Sequence, residues 1–142
     1  MSNPDVSYSN SDISGPGFIA LLVHDVEAAA NFYEQKVGLK RDPQAFPGAV
    51  AFLSSPIPFS VTQASPAVNL DGLPTPGLGI ALWFKAAESQ AVHDALVEAG
   101  VTILRAPPDG RFGRQFTFVD LDGYAITIYD RDAPAEGWGQ TG

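Results

Sequence analysis

The sequence predicts an α+β fold in a single domain, built from two modules that each have the order β-α-β-β-β. The chain has 142 residues, which suits one domain that buries about two thirds of its unfolded surface. Hydrophobic residues make up 45% of it and charged residues 17%, a globular rather than a disordered composition. An internal repeat completes the argument, because Ile19-Ala20-Leu21 recurs as Ile80-Ala81-Leu82 and each copy opens the same succession of elements.

In the first module, an apolar strand from Phe18 to Val23 precedes Asp25, a residue type that caps helix N-termini. The helix is expected to continue to about Val37. Gly38 ends it, because glycine readily adopts positive φ. The strands predicted after it are Leu39 to Arg41, Ala49 to Leu53 and Phe59 to Gln63.

The second module begins with a strand from Ile80 to Phe84 and a helix from about Ala87 to Ala99, which Gly100 ends. Asp122-Gly123 is a typical hairpin turn. The later strands are predicted at Val101 to Leu104, Gln115 to Val119 and Ala125 to Tyr129. The expected organisation is a flexible segment 1–16, a domain 17–131 with modules 17–64 and 78–131 and a proline-rich linker 65–77, and a C-terminal tail 132–142.

Composition excludes several classes of function. A net charge of −8 argues against nucleic acid as a partner, because binding phosphates requires clustered Lys and Arg. The acidity would attract a cationic small molecule, although solubility alone also explains it.

The absence of cysteine excludes disulfides and thiolate chemistry. No apolar run approaches the roughly 20 residues of a membrane span, and the N-terminus does not resemble a signal peptide. We expect a cytoplasmic protein with no membrane partner.

Several short motifs carry a family resemblance. Val23-His24-Asp25-Val26, then Asn31-Phe32-Tyr33 and Val37-Gly38-Leu39, resemble the opening of glyoxalase, bleomycin-resistance and extradiol-dioxygenase proteins, which form the vicinal oxygen chelate superfamily. Asp120-Leu121-Asp122-Gly123 resembles the Asp-Pro-Asp-Gly turn of that family, with Leu121 in place of proline. Phe112-Gly113-Arg114 resembles the aromatic-Gly-Arg motif of the bleomycin-resistance branch. The resemblance implies two modules that curl as a mixed sheet around a central cavity, and a homodimer with ligand sites near the subunit junction.

In enzymes of this family the cavity holds a divalent metal, bound by residues of the first and last strands of each module. Carried over by position, the resemblance places these ligands at Phe18, Gly79 and Thr127, and with less certain register at Thr62. None of these side chains is the imidazole or carboxylate that such a site requires. The chain has two histidines: His24, predicted to be a solvated corner residue, and His93, predicted on the solvated side of the second helix. We therefore expect no metal cofactor, and a metalloenzyme with relocated ligands is disfavoured.

Alternation along the strands predicts which side chains line the cavity. The candidate ligand-binding residues that follow from it are Phe18, Leu22, Trp83, Thr127 and Tyr129, and the resemblance of the Phe112-Gly113-Arg114 motif adds Arg114. Trp83 and Tyr129 are favoured because their polar tips suit a binding surface, whereas Phe32, Phe84 and Phe116 are assigned to packing. Arg114 is expected either to reach a ligand or to form a structural ion pair. Trp138 is expected to cover the cavity mouth, to pack on a second subunit or to lie in a disordered tail.

Two functions from different classes remain open. The first is a metal-free small-molecule-binding protein that sequesters an aromatic antibiotic or related metabolite, with a preference for cations if the acidity matters. The second is a metal-independent isomerase, lyase or hydrolase on the same scaffold. No motif places a Ser-His-Asp set or a carboxylate pair, and no catalytic residue is predicted. Fold alone does not choose between these functions.

Overall fold

Module 1 follows the predicted order of elements. The computed structural model describes residues 13–105, 109–110 and 113–131. Strand β1 (Ile19–Val23) leads into helix α1 (Val26–Asn31), which continues as a π-helical segment (Phe32–Val37). Strands β2 (Lys40–Arg41), β3 (Ala49–Leu53) and β4 (Phe59–Gln63) complete the module.

Module 2 repeats this order after a short 3₁₀ helix at Leu70–Gly72. It contains β5 (Leu82–Lys85), α2 (Ser89–Glu98), β6 (Thr102–Arg105), β7 (Asp109–Gly110), β8 (Gly113–Arg114), β9 (Phe116–Val119) and β10 (Ala125–Tyr129). Strands β7 and β8 form a two-stranded hairpin that the sequence did not predict. None of the helices in the described residues is long and apolar enough to cross a membrane.

The two modules have the same sheet topology, which confirms the α+β fold of paired β-α-β-β-β modules. One sheet has the order β1-β4-β3-β2 and the other β5-β10-β9-β6. In each sheet the first strand pairs in parallel with the last, and the remaining pairs are antiparallel. Both sheets are therefore mixed, with β1 and β5 at an edge.

One face of each sheet is buried beneath the helices. In module 1 the buried strand residues include Leu21, Val23 and Val61, and in module 2 they include Ile126 and Ile128. The aromatic side chains of the shared core are Phe32, Tyr33, Phe52, Phe59, Phe116, Phe118 and Tyr124. Phe84 packs edge-on against Phe59 with ring centroids 5.2 Å apart. The packing role predicted for Phe32, Phe84 and Phe116 is confirmed.

The first helix is capped as predicted, but it is not α-helical throughout. The Asp25 carboxylate accepts the Ala28 N–H at 3.1 Å and so satisfies one donor of the first turn. From Phe32 onward the helix widens, and the Gly38 N–H reaches back five residues to the Tyr33 carbonyl at 3.0 Å. Gly38 ends the helix with φ of 96°, a conformation that favours glycine.

The start of module 2 differs from prediction by two residues in each element. Strand β5 begins at Leu82, because Gly77 and Gly79 have positive φ and the Ile80 N–H bonds to the Gly77 carbonyl at 3.0 Å. These turns keep Ile80 out of the sheet. Helix α2 begins at Ser89 instead of Ala87, because the Ser89 N–H donates to the carboxylate of the distant Asp130 at 3.1 Å.

Candidate functional site

The face of each sheet opposite the helices carries the candidate binding surface, which we call the open face. Strand pairing shows which residues share it. In module 1 the open-face residues are Ala20, Leu22, Ala49, Ala51, Ser60 and Thr62. In module 2 they are Trp83, Lys85, Thr117, Val119, Ala125, Thr127 and Tyr129.

The open face of module 1 forms a cavity of about 380 Å³, which we call the module 1 cavity. Small side chains make room for it, because Ala49, Ala51 and Ser60 occupy adjacent strands where larger residues would fill the space. Aromatic rings from Phe18 and Phe46 border it. A volume of this size lies within the range of small-molecule sites, roughly 300–1,000 Å³.

A second cavity of about 390 Å³ lies between β1 and the segment that leads into β5. Ala20 and Leu22 form one wall, and Pro76, Gly79 and Ile80 form the other. The walls are apolar, and both sheet edges contribute to them. Of the six candidate ligand-binding residues, Leu22 lines this cavity and Phe18 lines the module 1 cavity, so the structure places these two in separate spaces.

Trp83, Thr127 and Tyr129 meet on the open face of module 2. The rings of Trp83 and Tyr129 contact edge to face, with centroids 5.8 Å apart. Thr127 pairs in register with Trp83, and its hydroxyl lies 2.8 Å from the Thr117 hydroxyl. Trp83 is 38% exposed, so a large aromatic surface is open to a ligand.

Arg114 lies beside the start of α2. Its guanidinium Nη1 donates to Gln90 Oε1 at 2.8 Å, and its backbone N–H donates to Asp130 Oδ1 at 3.1 Å. Gly113 before it has φ of 77°, and a Cβ there would collide with the Asp130 carboxylate. The Gly-Arg part of the sequence motif therefore docks β8 against α2. Phe112 of the same motif and Trp138 lie outside the described residues.

The positions that correspond to metal ligands do not suit a metal ion. Phe18 and Thr62 line the module 1 cavity, Gly79 lines the second cavity, and Thr127 bonds to Thr117. A benzyl group, a hydrogen atom and two hydroxyls supply no imidazole or carboxylate. Across residues 13–105, 109–110 and 113–131, no group of three His, Cys, Asp or Glu side chains is arranged so that it could hold a metal ion.

His24 joins three segments that are far apart in sequence, a contact that the sequence did not reveal. Its Nδ1 lies 2.6 Å from Asp122 Oδ1, and its Nε2 lies 2.9 Å from Asp71 Oδ1. The backbone N–H of His24 also donates to Asp122 Oδ1 at 3.0 Å. We call His24, Asp71 and Asp122 the His24 clasp. The hydrogen bond to Asp122, and then that to Asp71, raise the pKa of His24 above 6.5. His24 is exposed at the strand-to-helix corner, as predicted, but it also bridges two carboxylates that are distant in sequence.

A buried hydrogen bond beneath the clasp also joins the modules. The Tyr33 hydroxyl donates to Asp120 Oδ2, while Asp120 Oδ1 accepts the N–H groups of Asp122 and Tyr124, each at 2.9 Å. Burial raises the pKa of the Asp120 carboxyl, and it is also the main cause of the raised pKa of Tyr33. The sequence motif around Asp120 suggested only a turn.

His93 is not on a solvated face, in contrast to the prediction. Its side chain is only 17% exposed, and its ring lies edge-on to the buried Phe116 with centroids 5.2 Å apart. Its Nδ1 lies 3.0 Å from Asp94 Oδ1. His93 therefore covers the core from α2 and has no place in either cavity.

Comparison with known families adds a sequence match over most of the domain. The model of the Glyoxalase/Bleomycin resistance protein/Dioxygenase superfamily matches residues 15–128. No curated protein matches the chain.

Several solved structures share the fold. TnmS3, an antibiotic-binding protein from Streptomyces sp. CB03234, superposes with a TM-score of 0.67 at 23% identity, covering 87% of this chain and 100% of that one. A glyoxalase/bleomycin resistance protein from the same organism gives 0.65 at 22% identity, covering 82% and 100%. UcmS2 gives 0.66 at 18% identity, covering 83% and 98%. At these identities the likeness shows the fold alone.

Proposed function

We propose a function for this chain, which belongs to the Glyoxalase/Bleomycin resistance protein/Dioxygenase superfamily. The protein binds and sequesters a small aromatic molecule, an antibiotic or a related metabolite, on the open faces of the sheets and without a metal ion. Its candidate contacts remain Phe18, Leu22, Trp83, Thr127 and Tyr129. Arg114 is a weaker candidate, because its side chain already contacts Gln90.

The observation that carries this proposal is the Trp83 ring, which is 38% exposed and lies against Tyr129 on the open face of module 2, where the paired strands present no His, Cys, Asp or Glu among the described residues. A partly exposed indole presents aromatic surface against which a planar ligand can pack. Each such aromatic contact contributes about 0.5–1.5 kcal/mol beyond the burial of apolar area. The fold likeness to TnmS3, which is an antibiotic-binding protein, supports the same ligand class.

The proposal is tested by thermal-shift and calorimetric titration of chelator-treated protein with a panel of planar aromatic antibiotics. We expect at least one compound to raise the melting temperature saturably, because a ligand that binds only the folded state stabilises it. Elemental analysis of untreated protein should find no stoichiometric transition metal. About one Fe, Mn, Ni or Zn per chain, together with binding or turnover that chelation abolishes, would contradict the proposal.

We also propose that the protein is a homodimer. Strands β1 and β5 are sheet edges, and the exposed apolar side chains Phe18, Leu78 and Ile80 lie next to them. Unpaired edges with apolar surroundings favour association. Light scattering at micromolar concentration should give twice the mass of the chain, and Ile80→Glu should lower it. A monomer mass for the wild type would contradict the homodimer.

A further inference from the structure

The module 1 cavity contains one charged group in otherwise uncharged surroundings. Of the described residues that line it, only Asp42 has an ionisable side chain. Its backbone N–H donates to the Ala51 carbonyl at 2.9 Å, which fixes Asp42 beside the small residues of the cavity floor. Asp42 therefore places a negative charge in the lining of the cavity.

Among the described residues, no Lys, Arg or His side chain forms an ion pair with the Asp42 carboxylate. Oδ1 of Asp42 accepts the Gln44 N–H at 2.9 Å, a neutral contact within its own loop. The adjacent Arg41 is held by α1 and by the π-helical segment after it, since its Nη2 lies 2.8 Å from Glu27 Oε2 and its Nε lies 3.1 Å from Glu34 Oε1. Arg41 is thus neutralised by other acids, and the negative charge of Asp42 remains available to a ligand.

The surroundings strengthen any ion pair formed there. The rings of Phe18 and Phe46 border the cavity, and the hydroxyls of Ser60 and Thr62, 3.3 Å apart, add hydrogen-bonding groups. An occupant that fills an apolar cavity displaces water, and charges attract more strongly where the local dielectric constant falls. Aromatic rings also attract cations through their faces.

We infer that the module 1 cavity selects organic cations, in which an amine or amidine group attached to an apolar, ring-bearing body pairs with Asp42. This inference rests on the proposed small-molecule binding and adds the charge of the ligand and the residue that recognises it. It also divides the roles of the two open faces. Trp83 and Tyr129 offer ring contacts in module 2, whereas Asp42 selects for positive charge in module 1.

Two probes with the same ring system test this inference by calorimetry at pH 7.5. 9-Aminoacridine is a cation at this pH, whereas acridine is neutral. Wild-type protein should bind 9-aminoacridine about tenfold more tightly than acridine, as expected for a charge-assisted contact in a partly desolvated site. Added salt should weaken the binding of 9-aminoacridine and leave that of acridine unchanged.

Asp42→Asn should abolish this preference by weakening 9-aminoacridine binding about tenfold while changing acridine binding less than about twofold. Asparagine keeps an acceptor oxygen for the Gln44 N–H, so the loop should retain its conformation. Glu98→Gln is the matched control, since it removes the same charge from the exposed end of α2. It should change neither affinity. Ala51→Leu, which fills the cavity, should weaken the binding of both probes.

The outcomes separate this inference from the function on which it rests. Equal binding of both probes, unchanged by Asp42→Asn, would overturn the cation selectivity and leave aromatic binding intact. A salt-sensitive preference that Glu98→Gln removes as fully as Asp42→Asn would also overturn it, because overall charge would then be the cause. Failure of the wild type to bind either probe would overturn this inference. If the antibiotic panel also gave no binding, the proposed function would fail with it.

Discussion

The two modules share a topology, yet their helices are capped in different ways. Helix α1 is capped by Asp25, the residue just before it. In helix α2 the preceding residue makes no capping hydrogen bond with its side chain. The Ser89 N–H donates instead to the carboxylate of Asp130, which directly follows β10. This bond is the main cause that lowers the pKa of Asp130. The same structural requirement is thus met locally in one module and by a long-range contact in the other.

The sheet faces show a second contrast between the modules. The faces beneath the helices are alike, with Leu21 and Val23 in one and Ile126 and Ile128 in the other. The open faces differ, because module 1 has small residues around a cavity and module 2 presents Trp83. Since the buried faces maintain the fold, the open faces are free to differ in chemistry.

The contrast between buried and open faces predicts the largest difference in stability between two variants, Phe118→Ala and Trp83→Ala. Their free energies of unfolding are measured in urea by circular dichroism. Phe118 is completely buried, so its truncation should lower the free energy of unfolding by about 3–5 kcal/mol. Trp83 is partly exposed, and its truncation should cost much less. Equal losses would place Trp83 in the core and remove the distinction between the buried and open faces.

An intermediate effect is expected at the buried bond between the modules. Tyr33→Phe removes the hydroxyl that donates to Asp120 and leaves a buried carboxylate oxygen without its donor. The free energy of unfolding should fall by about 1–3 kcal/mol. The matched control is Tyr124→Phe, whose hydroxyl donates to the Leu22 carbonyl at 2.7 Å in a less buried setting, and it should cost less. If Tyr33→Phe left the free energy of unfolding unchanged, this hydrogen bond would not stabilise the junction between the modules.

A smaller, pH-dependent effect is expected at the His24 clasp. Its two carboxylates raise the folded-state pKa of His24 above 6.5, so its stabilisation is full below pH 6.5 and is lost as pH rises through the folded pKa. His24→Gln should therefore lower the melting temperature more at pH 5.5 than at pH 8.5. Asp71→Asn leaves the contact with Asp122 in place, so its loss of melting temperature should depend on pH in the same direction but should be smaller. An equal effect of His24→Gln at both pH values would exclude an electrostatic clasp.

Most of the fold could be predicted because its signals are local. The first copy of Ile-Ala-Leu, the cap at Asp25 and the stop at Gly38 each involve neighbouring residues and lie where predicted, whereas the strand of the second copy begins two residues late, at Leu82. The start of α2 was misplaced because its capping partner, Asp130, is 41 residues away. The His24 clasp was missed for the same reason, since Asp71 and Asp122 are distant in sequence.

The candidate site was predicted only in part. Strand alternation correctly placed Trp83, Thr127 and Tyr129 on one face, because that periodicity is a property of each strand, but none of the three lines either of the two cavities described above. It did not reveal that Phe18 and Leu22 line different cavities, which depends on how β1 meets the segment before β5. Asp42 was missed because its loop has no periodicity. Its lack of an ion pair depends on the fold, because the neighbouring Arg41 pairs with Glu27 of α1.

The central claim is that an aromatic ligand binds against Trp83 on the open face of module 2. Its most direct test is fluorescence titration of wild type, Trp83→Ala and Trp138→Ala with a compound that binds in the antibiotic panel. Quenching should be saturable and should persist in Trp138→Ala, while Trp83→Ala should stay folded and lose about 2 kcal/mol or more of binding free energy, as expected for an anchoring aromatic residue. A folded Trp83→Ala variant with wild-type affinity would contradict the claim.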